Sequence, residues 1–328
     1  MRLREAFELM VRLGREVDPR GFDGTEAVLV RNRNLFKALP SEERRRFDLA
    51  RLSNPFGDSR IVLGDPDVEV EGFMVGIDVS TDDLINFYRL RRDGWPVTVV
   101  LSHHTIGPTY MNVEDYNFVD PSVLSSLFGI KVEKAEEIAE KSNRLQLAWK
   151  ERIVERAFVP RRDLMDLADA LDIPLICVHT PADNHLLSYV HNLIERESPR
   201  LVKEFLEALK EVPEFKRGRR EAYTVAKLEA GRGEGSELGN IFLALTNALA
   251  LCCKNCMRDL AEAGVDTVIG VFSSRDIESA EGCGINLINM PHYPSDSLGL
   301  NLLLDRLLEV EPLEVLCCGG FWRFERST

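Results

Sequence analysis

Apolar positions along this 328-residue chain follow two alternating periods. Short β-rich apolar runs bounded by turn residues predict buried strands at Gly72 to Val79, Pro96 to Leu101, Ile173 to Val178, Tyr223 to Leu228, Val265 to Val271, Gly284 to Met290 and Leu313 to Cys317. Apolar residues at helical spacing predict helices at Arg2 to Gly14, Ser41 to Leu52, Asp82 to Arg92, Pro160 to Leu171, Asp183 to Glu197, Asn240 to Ala263 and Ser295 to Leu308. Leu3, Phe7, Met10, Val11 and Leu13 carry that spacing in the first helix, and Leu186, Leu187, Val190 and Leu193 carry it in the fifth. Thr81 reads as an N-cap, with two acids following in the first turn, where the helix dipole favours them. Alternating strands and helices predict an α/β fold. The segment from Pro121 to Glu155 reads as a charged helical insertion, either solvated or serving as a lid or subunit contact near His104.

Three of the apolar runs end in histidine, with a further metal-ligand type close by. They are Val97-Thr98-Val99-Val100-Leu101-Ser102-His103-His104, Leu175-Ile176-Cys177-Val178-His179-Thr180-Pro181-Ala182-Asp183 and Leu287-Ile288-Asn289-Met290-Pro291-His292-Tyr293-Pro294-Ser295-Asp296. Ligand sites in α/β sheets gather outside the carboxyl ends of strands, and four of the six histidines fall there. In the second and third segments His and Asp are four residues apart, so an opening helical turn puts them on one face. His103, His104, His179, Asp183, His292 and Asp296 are more ligands than one catalytic ion takes from a protein. Two divalent ions roughly 3.5–4 Å apart would use them all. His179 is the alternative candidate for a catalytic proton relay. His185 and His191, on the helix predicted from Asp183, read as bystanders, with His185 near enough to Asp183 to support it.

These motifs resemble those of the Nif-three-like family (NGG-one-interacting factor three), known as dinuclear metal-binding proteins and type 2 homologues of GTP cyclohydrolase I. The resemblance rests on Asn54-Pro55-Phe56-Gly57-Asp58-Ser59-Arg60-Ile61-Val62-Leu63-Gly64, Ile77-Asp78-Val79-Ser80, Ser102-His103-His104-Thr105, His179-Thr180-Pro181-Ala182-Asp183 and Pro291-His292-Tyr293-Pro294-Ser295-Asp296, in that order. Asp296 stands where the family pattern has Glu, Thr105 where it has Pro and Pro291 where it has Gly. The resemblance implies two related α/β lobes, mixed sheets flanked by helices, a metal site in the cleft between them, and a homo-oligomer. The corresponding division of the chain is an N-terminal lobe of about 1–215, carrying the insertion 121–155, and a C-terminal lobe of about 216–328, intertwined as a single unit.

Composition narrows the partners. The chain has 41 basic and 54 acidic residues, a net charge of −13, and no long basic run, which argues against binding nucleic acid through phosphate neutralisation. Lys216-Arg217-Gly218-Arg219-Arg220 reads as a solvated loop. No apolar run reaches the ~18 residues of a membrane span, so no membrane association is expected. The charged start and seven cysteines without framework spacing predict a cytoplasmic protein with reduced thiols. Cys252, Cys253 and Cys256 fall on an apolar helix face and read as core rather than as a redox or zinc site.

Mixed imidazole and carboxylate ligands suit Zn, Fe, Mn, Co and Ni alike. Two such ions lower the pKa of a bound water from 15.7 toward roughly 7, giving a hydroxide between the metals at neutral pH. The expected function is therefore hydrolysis of a small, anionic, phosphorylated or nucleotide-like substrate, by cyclohydrolase, phosphoester or amide chemistry. The alternative is a non-catalytic metal-binding, regulatory or metal-trafficking protein. Asp78, at a strand end before the histidine pair, reads as a helix-flanking acid or a support for a ligand. The turn Gly231 to Gly235 could offer backbone N–H groups to a phosphate.

Overall fold

A computed structural model describes residues 1–110, 112–155, 161–221 and 224–326. Its strands are β1 (Arg60–Leu63), β2 (Gly72–Gly76), β3 (Val99–Ser102), β4 (Leu175–Cys177), β5 (Lys227–Ala230), β6 (Ile241–Ala244), β7 (Thr267–Gly270), β8 (Asn286–Asn289) and β9 (Glu314–Cys318). The chain divides into two compact units, one made of Met1–Tyr116, Ile153–Ala182 and Leu303–Phe321, the other of Asn117–Arg152, Asp183–Leu302 and Trp322–Thr328. The chain passes between the units several times, and both the insertion up to Arg152 and the stretch from Asp183 onward lie in the second.

The first unit holds a mixed sheet in the order β1-β4-β3-β2-β9. β4, β3, β2 and β9 are parallel, while β1 runs antiparallel to β4 with an irregular register between Ile61 and Leu63. β2, β3 and β4 are buried throughout, which is why each reads as an unbroken apolar run. Met74, Leu84, Phe87, Val100, Leu164 and Leu175 form the centre of this unit's core.

The second unit repeats that arrangement. Its sheet runs β5-β8-β7-β6, the order of β1-β4-β3-β2 moved on by four strands. Again the edge strand is antiparallel, β5 on β8, with a register shift between Leu228 and Ala230. The edge strands also end alike, in glycines with positive φ: Gly64 (+101°) against Pro174, and Gly231 (+127°) against Asn286 and Ile285. The core here gathers Phe205, Phe242, Val268 and Leu287 with Cys252, Cys253 and Cys256, so the three thiols are packing residues. Burial pushes the Cys253 thiol well above its ordinary pKa.

Several expectations are corrected. The single helix expected over Asn240 to Ala263 is β6 followed by the helix Asn247–Glu262. Four apolar residues are too few to show a period, and it is pairing with β7 that makes them a strand; Thr246 then caps the helix, accepting from Leu249 N. Over Ser41 to Leu52 only Ser41–Arg44 is α-helical, and Asp48 accepts from Ala50 N to begin a separate 3-10 turn at Leu49–Leu52. The N-cap of Thr81–Arg92 is Ser80, whose N–H donates to Asp83 at 2.8 Å while its hydroxyl accepts from Asp83 N, completing a capping box. Lys216 to Arg220 belong to the helix Pro213–Glu221, anchored by buried Glu214, Phe215 and Gly218. The inserted helix Val132–Glu155 is not a freely solvated rod, since Ala135, Ile138 and Ala139 join the core and Lys141 pairs with Asp259 at 2.7 Å. Pro160 and Tyr223, the first residues of an expected helix and strand, lie outside the described residues.

A methyl group at Gly64 would sit 2.8 Å from the Pro174 backbone on top of an unfavourable φ, whereas Gly94 (+84°) has open space around it. Gly64→Ala is expected to cost about 2–3 kcal/mol and Gly94→Ala about 1 kcal/mol. Equilibrium denaturation measures both, and equal losses would contradict the close approach at the end of β1.

Candidate metal centre

The site begins where the parallel strands stop. His103 and His104 follow β3 directly, and their N–H groups donate to Gly76 O (2.9 Å) and Ile77 O (3.1 Å), so the end of β2 holds both backbones. After β4, Val178 N donates to Ser102 O at 3.0 Å and His179 N donates to the Ser59 hydroxyl at 2.9 Å. The three rings are thereby gathered. His103 and His179 stack at 4.5 Å and 10°, His104 lies 5.3 Å from His103, and one nitrogen of each ring falls within 4.8 Å of the others.

Each ring presents its Nδ1 to an acceptor. His103 Nδ1 lies 3.1 Å from Val178 O, His104 Nδ1 lies 2.7 Å from Asp78 Oδ1, and His179 Nδ1 lies 3.3 Å from Asp58 Oδ2. A carbonyl or carboxylate oxygen can only accept, so Nδ1 carries the proton and the neutral ring keeps its lone pair on Nε2. Fixing Nδ1–H to an acceptor in this way is how proteins orient histidine ligands.

Asp58 is fully buried. Burial opposes its charge, but hydrogen bonds from His179, Thr180 and Ser59 hold its carboxyl below the ordinary carboxylate value. Thr180 Oγ1 donates to Asp58 Oδ2 at 2.6 Å and Ser59 Oγ donates to Oδ1 at 3.1 Å. The neighbouring Cys177 is kept as a thiol by burial, its Sγ lying 3.4 Å from His103 O. Sequence reasoning missed Asp58 as a site residue, although it stands inside the Asn54 to Gly64 motif. Asp78, at the strand end before the histidine pair, accepts from the His104 ring at 2.7 Å.

The second unit contains a His-Asp pair of its own. The helix His292–Val310 begins at His292 itself, and one turn on Asp296 Oδ2 lies 3.2 Å from His292 Nε2. Asp296 is buried and His292 is 54% exposed. His179-Thr180-Pro181-Ala182-Asp183 and His292-Tyr293-Pro294-Ser295-Asp296 share the pattern His-x-Pro-x-Asp. They follow β4 and β8, which hold the same place in the two sheet orders. Each opens a helix, Thr180–Glu197 or His292–Val310, whose first turn tolerates proline, and Asp183 lies in the first turn of its helix, where an acid is favoured. Each proline also lies against a helix glycine: a Cβ on Gly14 would meet Pro181 at 2.6 Å, and one on Gly218 would meet Pro294 at 2.7 Å.

Asp183 is buried in the first turn of its helix, as is His185 close after it. In the Gly231 to Gly235 turn, Arg232 N donates to Asn286 Oδ1 on β8 at 2.9 Å.

No family model and no curated protein matches the chain. Solved structures do. A NIF3 superfamily protein from Sphaerobacter thermophilus aligns over 81% of this chain and 92% of its own, at 22% identity and a TM-score of 0.59. Reduced HcgD from Methanocaldococcus jannaschii aligns over 80% and 89% at 16% identity and a TM-score of 0.46. A Bacillus cereus protein related to NIF3 aligns over 91% and 98% at 11% identity and a TM-score of 0.42.

The hydrogen-bond partners predict that His103, His104 and His179 are all Nδ1–H tautomers above their titration range. Long-range proton–nitrogen NMR spectra read this directly, and an Nε2–H form at any of the three would remove that ring from the ligand set.

Proposed function

We propose that this chain, whose fold is that of the NIF3 superfamily, is a divalent-metal-dependent hydrolase with a dinuclear centre held by His103, His104, His179, Asp183, His292 and Asp296. The observation that carries this reading is the clustering of three imidazoles whose Nδ1 atoms all face acceptors, which directs three Nε2 lone pairs to ligation. Imidazole with carboxylate fits Zn, Fe, Mn, Co or Ni, whereas oxygen-only sites suit Mg and Ca. When bound, a pair of such ions supplies Lewis acidity and lowers the pKa of coordinated water.

The residues of the chain set the rest of the chemistry. Six side chains shared by two ions give about three each, the number that leaves a site open. His104 and His292 keep 24% and 54% of their side-chain surface exposed, so a substrate can reach them. Asp78 and Asp58 hold His104 and His179 against rotation. If His179 takes no metal, its Nε2 can accept a proton while Asp58 stabilises the resulting imidazolium. Two divalent ions would bring positive charge to the Nε2 side of the rings, where a small anionic substrate such as a phosphoester, a nucleotide or a cyclic amide with an acidic group could be received, while Asp58 and Asp78 lie behind the rings.

Metal content per chain, by elemental mass spectrometry on tag-free protein prepared without chelator, tests the centre. About two ions are expected, lost in His104→Ala and reduced in Asp183→Ala with an unchanged circular-dichroism spectrum. Asp58→Asn and Asp78→Asn should weaken metal affinity by about 10–100-fold. His179→Ala separates its two roles, because loss of metal marks a ligand and loss of turnover alone marks a base. Absence of metal after reloading with Zn, Mn or Fe would overturn the proposal. Full metal without turnover on phosphoesters, nucleotides or cyclic amides would make the protein a metal-binding or trafficking protein.

A further inference from the structure

The first unit contains a cavity of about 750 Å³ that none of the metal-ligand candidates lines. It opens between the helix Leu3–Glu16, the start of the helix Gly21–Ala38 and β1. Phe7, Val11, Phe22 and Ile61 make its apolar wall. Arg4, Arg12, Arg15 and Arg60 stand around that wall against two acids, Glu8 and Asp48. Arg4 is paired with Asp67, Arg15 with Glu26 and Arg60 with Asp48, so the positive character of the lining rests on Arg12.

Three details go beyond a simple surface hollow. Phe22 is 62% exposed, and the Arg15 guanidinium lies 4.1 Å over its ring, so an aromatic face and a cation already meet at the cavity edge. Arg60 donates through Nη2 to Asp48 at 2.7 Å, but its Nε is buried without a hydrogen-bond partner. A buried, unsatisfied guanidinium N–H carries a standing free-energy cost. Arg12 is exposed and, among the described residues, has no acidic partner. The volume is that of an ordinary small-molecule site, and an apolar wall with a few cationic groups selects the ligand's shape and charge together.

We infer that this cavity is a binding site for a small organic anion with a flat apolar body, seated on Phe7 and Phe22 with its anionic group received by Arg12 and Arg60. The inference does not depend on the metal centre, since none of these residues is a proposed ligand. Arg60 nevertheless follows Asp58 by two residues, and Asn54 at the cavity wall donates to Ser59 O at 2.6 Å. An occupant would therefore rest on the loop that holds His179.

The aromatic sulfonate 1-anilinonaphthalene-8-sulfonate is a probe of this chemistry, and N-phenyl-1-naphthylamine offers the same body without the charge. Fluorescence titration of the full chain should show saturable one-to-one binding of the sulfonate, at least tenfold tighter than binding of the neutral compound. Phe22→Ala and Arg12→Ala alter exposed side chains and should each weaken sulfonate binding at least fivefold, with near-ultraviolet circular dichroism unchanged. Equal affinity for the two probes, or unchanged binding in both variants, would overturn the inference. So would light-scattering masses showing that Phe22→Ala breaks an oligomer, because a second copy would then be what covers the cavity.

Discussion

The buried carboxylate of Asp58 is the constraint from which the histidine cluster of the first unit follows. A carboxylate taken out of water costs several kcal/mol unless its oxygens are filled by donors. Here the donors come from Ser59 beside it, Thr180 at a helix start, and His179 at the exit of β4. Satisfying that charge forces the 54–60 loop, the end of β4 and the first turn of Thr180–Glu197 into one arrangement. Asn54 completes the loop by donating to Phe56 O and Ser59 O. The imidazole of His179 is thereby oriented by groups whose first task is to make a buried charge tolerable. Stability and candidate chemistry are coupled at this residue.

A second constraint is repeated in both units. Each His-x-Pro-x-Asp turn leaves a sheet at equivalent strands, and each proline is received by a glycine on a packed helix, Gly14 for Pro181 and Gly218 for Pro294. A side chain at either glycine would push on the turn that carries a histidine and an aspartate four residues apart. The pattern of small residue against proline is thus tied to where each histidine and aspartate is placed. The two sheets share strand order, an antiparallel edge strand with shifted register, and a positive-φ glycine at its end. Such agreement in several independent devices is what a duplicated supersecondary unit would leave behind.

Much of this was legible in the residues. Strands buried on both faces announce themselves as apolar runs, and the histidines that end β3, β4 and the β8 exit stand out because strand ends are where α/β sheets place ligands. The elements that escaped depend on distant partners. β6 is four residues long and is a strand only because β7 lies beside it. The helix Gly21–Ala38 begins without a side-chain cap and buries polar residues, Thr25 and Asn32, the latter bonded to Asp115 and Arg51 from remote segments. Neither apolar periodicity nor capping could reveal such a helix. Asp58 was hidden for the same reason, since its role is defined by His179, 121 positions later in the sequence.

The electrostatics of the histidine cluster point toward a cation rather than toward protons. Two imidazolium rings about 5 Å apart repel each other by about 3 kcal/mol at an effective dielectric of 20, so the stacked His103 and His179 resist double protonation. Asp58 and Asp78 nevertheless bring two negative charges to the outer side of the rings, charges that neutral imidazoles do not cancel. His103, His104 and His179 could hold a divalent ion through their Nε2 atoms, which would bring positive charge to the cluster without charging each ring separately. Because the same nitrogens take either proton or metal, acid should compete directly with metal binding. The chain's own arrangement of acceptors behind its histidines, more than the histidines themselves, is what separates this cluster from a set of packed aromatic rings.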